Sequence, residues 1–428
     1  MTSFNSYLLK AAVTFFVLLA LTASFNLLVD PFELFNSPKF AQFNQKKPLF
    51  HAHDRMIKAN RMRQWQPDVI VMGSSRAEIG LNPDNTDLLK TATPAFNLAI
   101  SGANIHELLR YLQHAQHLKP LKQVVVGLDF FMFNINKPNE PDFNDSRLAP
   151  NSKGYYVDLF QSLLTYDALE ASIKTINQQH TIPESVYLPN GFRDDRDSWS
   201  LIQKVGGHRQ AAINNERHTL AEMDGYVFFA ITDKSGDSSS LESFEQLLVF
   251  CKDNKIDLHL FISPEHARKL VLLNHVGLWA EFASWKQHLV RIIAENAPEF
   301  SLWDFSGFNS ITTEAFPALG DSKTQMHGYW ESSHYKKEIG NIILHKLLTA
   351  DNSTPPADFG VLLTPLSIGS QLQNAQSQRD AYINANPDIL VDIENMLTAT
   401  EADRNQLIKL NPKLSPLAYY QTRAVKQP

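Results

Sequence analysis

The sequence predicts a three-layer α/β fold around a parallel sheet, set behind one membrane-spanning helix. Three observations carry this. Short, continuously apolar runs such as Asp68-Val69-Ile70-Val71-Met72 and Gln123-Val124-Val125-Val126-Gly127-Leu128 alternate with amphipathic segments. Strands buried on both faces read this way, and alternation with helices makes the sheet parallel. Leu8 to Val29 carries a single charge, Lys10, over a length that crosses a bilayer. The alternation stops after Asp129 and resumes at Leu241, which marks an insertion.

Residues 1–30 are read as an uncleaved anchor. A buried soluble helix would carry a polar stripe, and the segment offers only Thr14, Thr22, Ser24 and Asn26. A cleaved signal would end in a small-x-small site, which Leu21-Thr22-Ala23 meets weakly. Lys39, Lys46 and Lys47 follow the segment while only Lys10 and the amino terminus precede it. That distribution alone argues against export, but long domains translocate largely regardless of charge. Residues 31–67 connect anchor to domain through Pro31, Pro38, Pro48 and a short helix from Asp54 to Trp65.

Residues 68–350 form the α/β domain, with strands expected at 68–72, 97–100, 123–128, 256–262 and 300–305. Helices are expected at 104–117, 241–254, 276–296 and 335–348, each with an apolar face such as Ile105, Leu108, Leu109 and Leu112. The insertion, about 131–240, is rich in Asn, Asp, Pro and Gly, with helical pieces near 155–178 and 208–223. After Pro355 and Pro356 the chain continues as a polar helical tail over 351–428.

Composition excludes several classes. The net charge is -6 and the basic residues are dispersed, so the polyanion-binding face of a nucleic-acid partner is missing. Cys251 is the sole cysteine, which rules out an intramolecular disulfide and a multi-cysteine metal site. His51 with His53, and His114 with His117, have no third ligand or carboxylate cluster beside them in sequence, so neither a metal nor another cofactor is expected.

Two segments carry nucleophilic chemistry. Gly73-Ser74-Ser75-Arg76 directly follows a buried strand, at the sheet edge where α/β proteins bind ligands and helix amino termini present N–H groups. Capping of a helix by Ser74 or Ser75 is the simpler alternative. Trp330-Glu331-Ser332-Ser333-His334-Tyr335 precedes the closing helix, where Glu331 is the right type to orient the His334 imidazole; a surface histidine beside an incidental glutamate is the plainer reading. Ser263-Pro264-Glu265-His266 ends another strand at the same edge. Arg76, Asp129, His266 and Trp330 are therefore candidates to touch substrate, with loop capping the alternative for His266 and core packing for Trp330.

The order Ser, then acid-x-x-His, across about five strands resembles the SGNH, or GDSL-type, hydrolase superfamily, and in particular its membrane-anchored or exported bacterial branch that includes alginate O-acetylation proteins. Gly73-Ser74-Ser75 is similar to the Gly-Asp-Ser block, with Ser75 at the nucleophile position; Gly102 is similar to the glycine of the oxyanion hole; Glu331-Ser332-Ser333-His334 is similar to the closing Asp-x-x-His block. Ser74 and Glu331 each stand where the family has Asp, and Gly127-Leu128-Asp129-Phe130 stands where many members have Gly-x-Asn-Asp. The resemblance covers 68–135 and roughly 241–348. It implies a flavodoxin-like sheet, a Ser75–His334–Glu331 catalytic set, and an oxyanion hole from the Ser75 and Gly102 amides with Asn104 as a further donor. It also implies an ester hydrolase or O-acyltransferase acting on acyl, chiefly acetyl, groups of an envelope or exported polysaccharide. Its partners would be an acylated carbohydrate or other ester and membrane acyl-transfer proteins; its location would be the bacterial inner membrane, with the main domain periplasmic or outside the cell. An ionised Asp129 cannot donate to an oxyanion, so the alternative is a non-catalytic, membrane-tethered glycan-binding or assembly protein on the same fold.

Overall fold

The computed structural model describes residues 3–90, 94–150, 152–180, 186–194, 198–225, 229–233, 235–236, 238–349 and 355–410. Among them, β1 (Val69–Met72), β2 (Ala95–Asn97), β3 (Gln123–Leu128), β6 (Asp257–Ile262), β7 (Leu302–Asp304) and β8 (Val361–Leu363) form one sheet in the order β2-β1-β3-β6-β7-β8. Its first five members run parallel. A separate antiparallel pair, β4 (Val186–Tyr187) and β5 (Arg193–Asp194), lies in the insertion.

Side-chain alternation splits the sheet into two buried faces. Ile70, Met72, Val124 and Val126 enter one core with Leu108, Leu247 and Trp285 from the helices Ile105–Leu118, Ser240–Asp253 and Trp279–Asn296. Val69, Val71 and Val125 enter the other with Ile343 and Leu344 of helix Lys337–Thr349. The period of two along each strand thus sends neighbours to opposite helix layers. Fully apolar strands such as Val69–Met72 follow from that double burial.

Two expectations need correction. The second strand is Ala95–Asn97 rather than 97–100, although its ladder extends: the Leu98 amide donates to Val71 O at 2.7 Å and that of Ile100 to Gly73 O at 2.9 Å. The region read as a polar tail supplies β8, which pairs antiparallel with β7, so the sheet is mixed. Three residues between Gly360 and Thr364 are too short a run to stand out in sequence. The following helices, Ile368–Ala385 and Pro387–Leu410, pack on the domain, with Ile393 and Met396 buried and Asp392 taking Arg268 Nη1 at 3.1 Å.

The amino-terminal helix Ser3–Val29 contains a stretch, Phe4–Val29, long and apolar enough to cross a membrane, with mean hydropathy 2.2 over an 18-residue window. Its first turns are exposed, whereas Asn26 and Val29 are buried. Its last carbonyls are capped: Lys47 Nζ donates to Val29 O at 2.8 Å, Asn44 Nδ2 to Leu28 O at 2.9 Å and Ser37 Oγ to Leu27 O at 2.5 Å. Side chains from 31–67 thus satisfy the orphan acceptors that every helix end leaves, and the junction is built rather than loose.

Candidate active site

Gly73 ends β1 at φ +150°, and a Cβ there would meet Ala77 Cβ at 2.7 Å and the Gly127 carbonyl at 3.0 Å. Only glycine lets the chain turn this close to β3. Ser74 is then the cap of the short helix Ser75–Gly80: its Oγ accepts from the Arg76 amide at 3.2 Å and donates to Asp129 Oδ2. With Ser74 engaged in capping, Ser75 in the first turn is left half-exposed, its hydroxyl turned to the opposite loop.

That loop is a closed hairpin. Tyr329 and Tyr335 bridge antiparallel, and the Trp330 amide donates to His334 O at 2.9 Å. Inside the loop the buried Glu331 carboxylate accepts the Ser333 amide at 2.8 Å, the His334 amide at 2.9 Å and His334 Nδ1–H. His334 Nε2 is 2.7 Å from Ser75 Oγ. With the Nδ1 proton given to Glu331, Nε2 is the acceptor for the hydroxyl, an assignment that follows from the hydrogen-bond pattern. Burial would raise the Glu331 carboxyl, but the facing imidazole, the His334 hydrogen bond, Lys269 and the Ser333 amide outweigh it and hold the group below its ordinary value. Glu331 therefore stands ionised against the ring.

The helix Lys337–Thr349 that follows this hairpin docks directly on the serine's helix: a Cβ on Gly340 would overlap the Gly80 carbonyl at 1.8 Å. The sequence thus presses the two halves of the site together through glycines.

Arg76 locks the surrounding loops. Its guanidinium meets Asp129 Oδ1 at 2.9 Å, Glu265, and Ser333 Oγ at 2.9 and 3.1 Å, and Nε donates to Ser333 O at 3.2 Å. The Asp129 contact is close but off hydrogen-bond alignment, leaving Oδ1 without a bonded donor among the described residues. Arg76 and Asp129 border the cavity, but their polar atoms are committed to each other and to the loops, which departs from the expectation that they are free to hold substrate.

A second charged group holds the β2 loop. Arg55 Nη2 donates to Ser101 O at 3.1 Å and to Glu107 Oε2 at 2.8 Å; the Ser101 amide donates to Asp54 Oδ2 at 3.3 Å, its hydroxyl to Glu78 Oε2 at 2.9 Å, and Lys58 Nζ to Glu78 Oε1 at 2.8 Å and to Ala99 O. Next along this loop is Gly102, at φ +66°. Neither its amide nor that of Ser75 has an acceptor among the described residues, and both residues line one cavity of about 1070 Å³ with His334. His51 also converges on Asp54 and Glu78, with one ligand-type atom of each within 4.8 Å of the others. Sequence spacing did not bring these three together. The Lys58 ammonium already takes the Glu78 carboxylate there.

Three other expected site residues lie elsewhere. Asn104 caps helix Ile105–Leu118, accepting from the Glu107 amide at 2.9 Å, and its Nδ2 is spent on Asn139 Oδ1 at 2.9 Å, so it is no oxyanion donor. The Asn-x-x-Glu spacing was the capping signal for this. His266, only 1% exposed, caps helix Ala267–His275 through Nδ1 and bonds Glu314 O through Nε2 at 2.7 Å. Trp330 is outside the cavity lining, with Lys336 Nζ 4.2 Å from its ring centre. The sequence placed Glu265 and Ser333 at the site without their role as Arg76 partners, and missed Arg55 and Lys58, whose partners Glu107 and Glu78 are distant in the chain. Comparisons with protein-family models, with curated proteins and with solved structures each give no significant match.

Proposed function

We propose that this chain is a membrane-anchored serine ester hydrolase or O-acyltransferase. The observation that carries the reading is the line Ser75 Oγ, His334 Nε2 and Nδ1, Glu331, with 2.7 Å between hydroxyl and imidazole. Ser75 Oγ attacks an ester carbonyl while its proton passes to His334 Nε2, and Glu331 stabilises the imidazolium that forms. Negative charge then collects on the carbonyl oxygen. The unpaired Ser75 and Gly102 amides are the donors available for it, each worth about 3–4 kcal/mol in such sites. Collapse of the tetrahedral species breaks the ester C–O bond, and the leaving alcohol takes the proton from His334. Water, or an acceptor hydroxyl, then gives its proton to His334 and attacks the acyl-serine, releasing acid or a new ester and returning the proton to Ser75.

The resemblance to SGNH hydrolases supports the same chemistry, and the departures from the family pattern fall together in space. Ser74 and Asp129, at the positions of the family's Asp and Asn, hydrogen-bond each other. The carboxylate has in effect changed strands, and it binds Ser74 and Arg76 rather than standing in for an oxyanion donor. An acyl group on an envelope polysaccharide, handled outside the inner membrane, is the substrate and setting that fit the anchor and the resemblance.

The test is turnover of p-nitrophenyl acetate by the detergent-solubilised full chain, together with fluorophosphonate labelling mapped by mass spectrometry. Turnover with an adduct on Ser75 is expected. A folded protein with neither would move the assignment to the glycan-binding alternative.

A further inference from the structure

Helix Gly154–Leu164 carries a row of exposed apolar side chains. Its outward residues are Tyr156, Val157 and Phe160, 69%, 47% and 62% exposed, followed by Gln161, and Tyr166 just beyond is 76% exposed. The helix has one ionisable acid, Asp158, which is turned inward. It is 3% exposed and held by Arg147 Nε at 2.7 Å, Arg147 Nη2 at 3.0 Å and Asn60 Nδ2 at 3.0 Å. A helix that pairs its only charge inside and points two aromatic rings outward is arranged for an apolar neighbour.

The neighbour follows from what the helix is fastened to. Asn26, fully buried in the last turn of the apolar amino-terminal helix, donates to Leu163 O at 2.9 Å and accepts from Ser172 Oγ at 2.8 Å. The end of helix Gly154–Leu164 and the middle of helix Tyr166–Asn177 are thus bolted to the last turn of the apolar amino-terminal helix. Leu27 and Leu28 beside Asn26 remain 45% and 47% exposed, so both elements joined at Asn26 carry exposed apolar side chains. Tyrosine and phenylalanine at this level match the aromatic belt of a membrane interface.

We propose that helix Gly154–Leu164, with Tyr166, lies in the headgroup boundary of the bilayer that the amino-terminal helix crosses. The same helical pair contributes Ser162, Thr165 and Asp167 to the wall of the cavity that holds Ser75 and His334. The cavity is therefore held at the lipid surface, within reach of esters carried on lipids, instead of being swung out on a tether. This inference rests on the reading of Ser3–Val29 as a span, and its test separates the two.

Single cysteines replace Tyr156, Phe160 and Tyr166, with Phe16→Cys in the span and Leu366→Cys, at a site 98% exposed on the far part of the chain, as references. The native Cys251 is buried and its thiol is pushed up to about 12 by burial, so it stays unlabelled in the folded protein. Each full-length variant carries a bimane label in phosphatidylcholine nanodiscs containing 5-doxyl or 12-doxyl lipid. Quenching at 156, 160 and 166 at least twofold above that at 366, and stronger with 5-doxyl than with 12-doxyl, is the expected result. Quenching no greater than at 366, with Phe16→Cys strongly quenched, overturns the inference and leaves the span intact. Loss of quenching at Phe16→Cys as well overturns both. Labels at 156 and 160 shielded from aqueous iodide yet untouched by doxyl lipid would assign the face to a protein instead, and also overturn it.

Discussion

Two buried charge clusters flank the cavity, and they differ in what they hold and in how one of their carboxyls titrates. Around Arg76, one guanidinium faces Asp129 and Glu265 and ties the loops after β1, β3 and β6 to Ser333, next to His334. Around Arg55, Lys58 and Arg193, the acids Asp54, Glu78, Glu107 and Asp142 crowd three cations and fix the loop from Ala99 to Gly102. The first cluster positions Ser333 beside His334, and so sets the distance over which the proton moves in the proposed reaction. The second sets where an amide points. In the second, burial and neighbouring Glu78 push the Asp54 carboxyl up to about 8. Burial also tends to raise Glu78, but Lys58 and Arg193 overcome it and hold that carboxyl low. One of two adjoining carboxyls keeps its proton while the other keeps its charge. In the proposed reaction, proton transfer thus relies on one guanidinium shared by two acids, whereas the amide side includes a carboxyl that keeps its proton.

The largest effects belong to the proton-moving side. Ser75→Ala and His334→Ala should each lower p-nitrophenyl acetate turnover by about 10⁴- to 10⁶-fold, while Ser74→Ala, which removes a cap, keeps the fluorophosphonate adduct. An adduct that migrates to Ser74 would relocate the nucleophile. Glu331→Gln should lose roughly ten- to a hundredfold less in kcat/KM than His334→Ala, since an orienting acid contributes less than the base it orients. Equal losses would mean that Glu331 does more than hold the ring.

Arg76→Met sharpens the comparison. It strands Asp129 and Glu265 as buried acids, and breaking a buried pair from one side costs about 3–5 kcal/mol, so the urea midpoint should fall clearly. Arg76→Lys keeps the charge but cannot span three loops at once. We expect it to retain the fold and to slow fluorophosphonate labelling, because Arg76 acts by positioning Ser75 and His334. Unchanged labelling in a folded Arg76→Lys protein would reduce the cluster to a stabilising role.

How much of this the sequence discloses depends on how local the cause is. β1, β3 and β6 are legible because double burial writes itself into consecutive residues, and Gly73-Ser74-Ser75 and Glu331 to His334 are legible because strand end, cap and hairpin are all local. Arg76 is adjacent to the proposed nucleophile, yet its partners Asp129, Glu265 and Ser333 lie on three other loops, and no periodicity connects them. Asn104 entered as an oxyanion donor through the family resemblance, whereas its spacing to Glu107 marks a helix cap. β8 went unseen because an edge strand of three residues leaves no pattern to count.

The smallest predicted effect tests the titrating side. An acid whose folded value exceeds its unfolded one holds its proton where the unfolded chain has lost it, so its contribution is complete below the unfolded value and declines as pH rises toward the folded one. For Asp54 those limits are the ordinary 3.8 and about 8. Buried histidines act in the opposite sense: His114 and His266, both lowered to about 4 mainly by burial, make stability rise with pH up to about 6.5 and then add no slope. The interval from pH 6.5 to 8 therefore isolates Asp54 from these two. There the wild-type unfolding free energy from urea titrations should drop with a slope of at most about 1.4 kcal/mol per pH unit, and Asp54→Asn, which keeps an acceptor for the Ser101 amide, should be flatter. Parallel slopes would mean that Asp54 and Glu78 are ionised together and that Arg55 and Lys58 balance both. The Gly102 loop would then be held by charge at every pH, and the contrast with the Arg76 cluster would disappear.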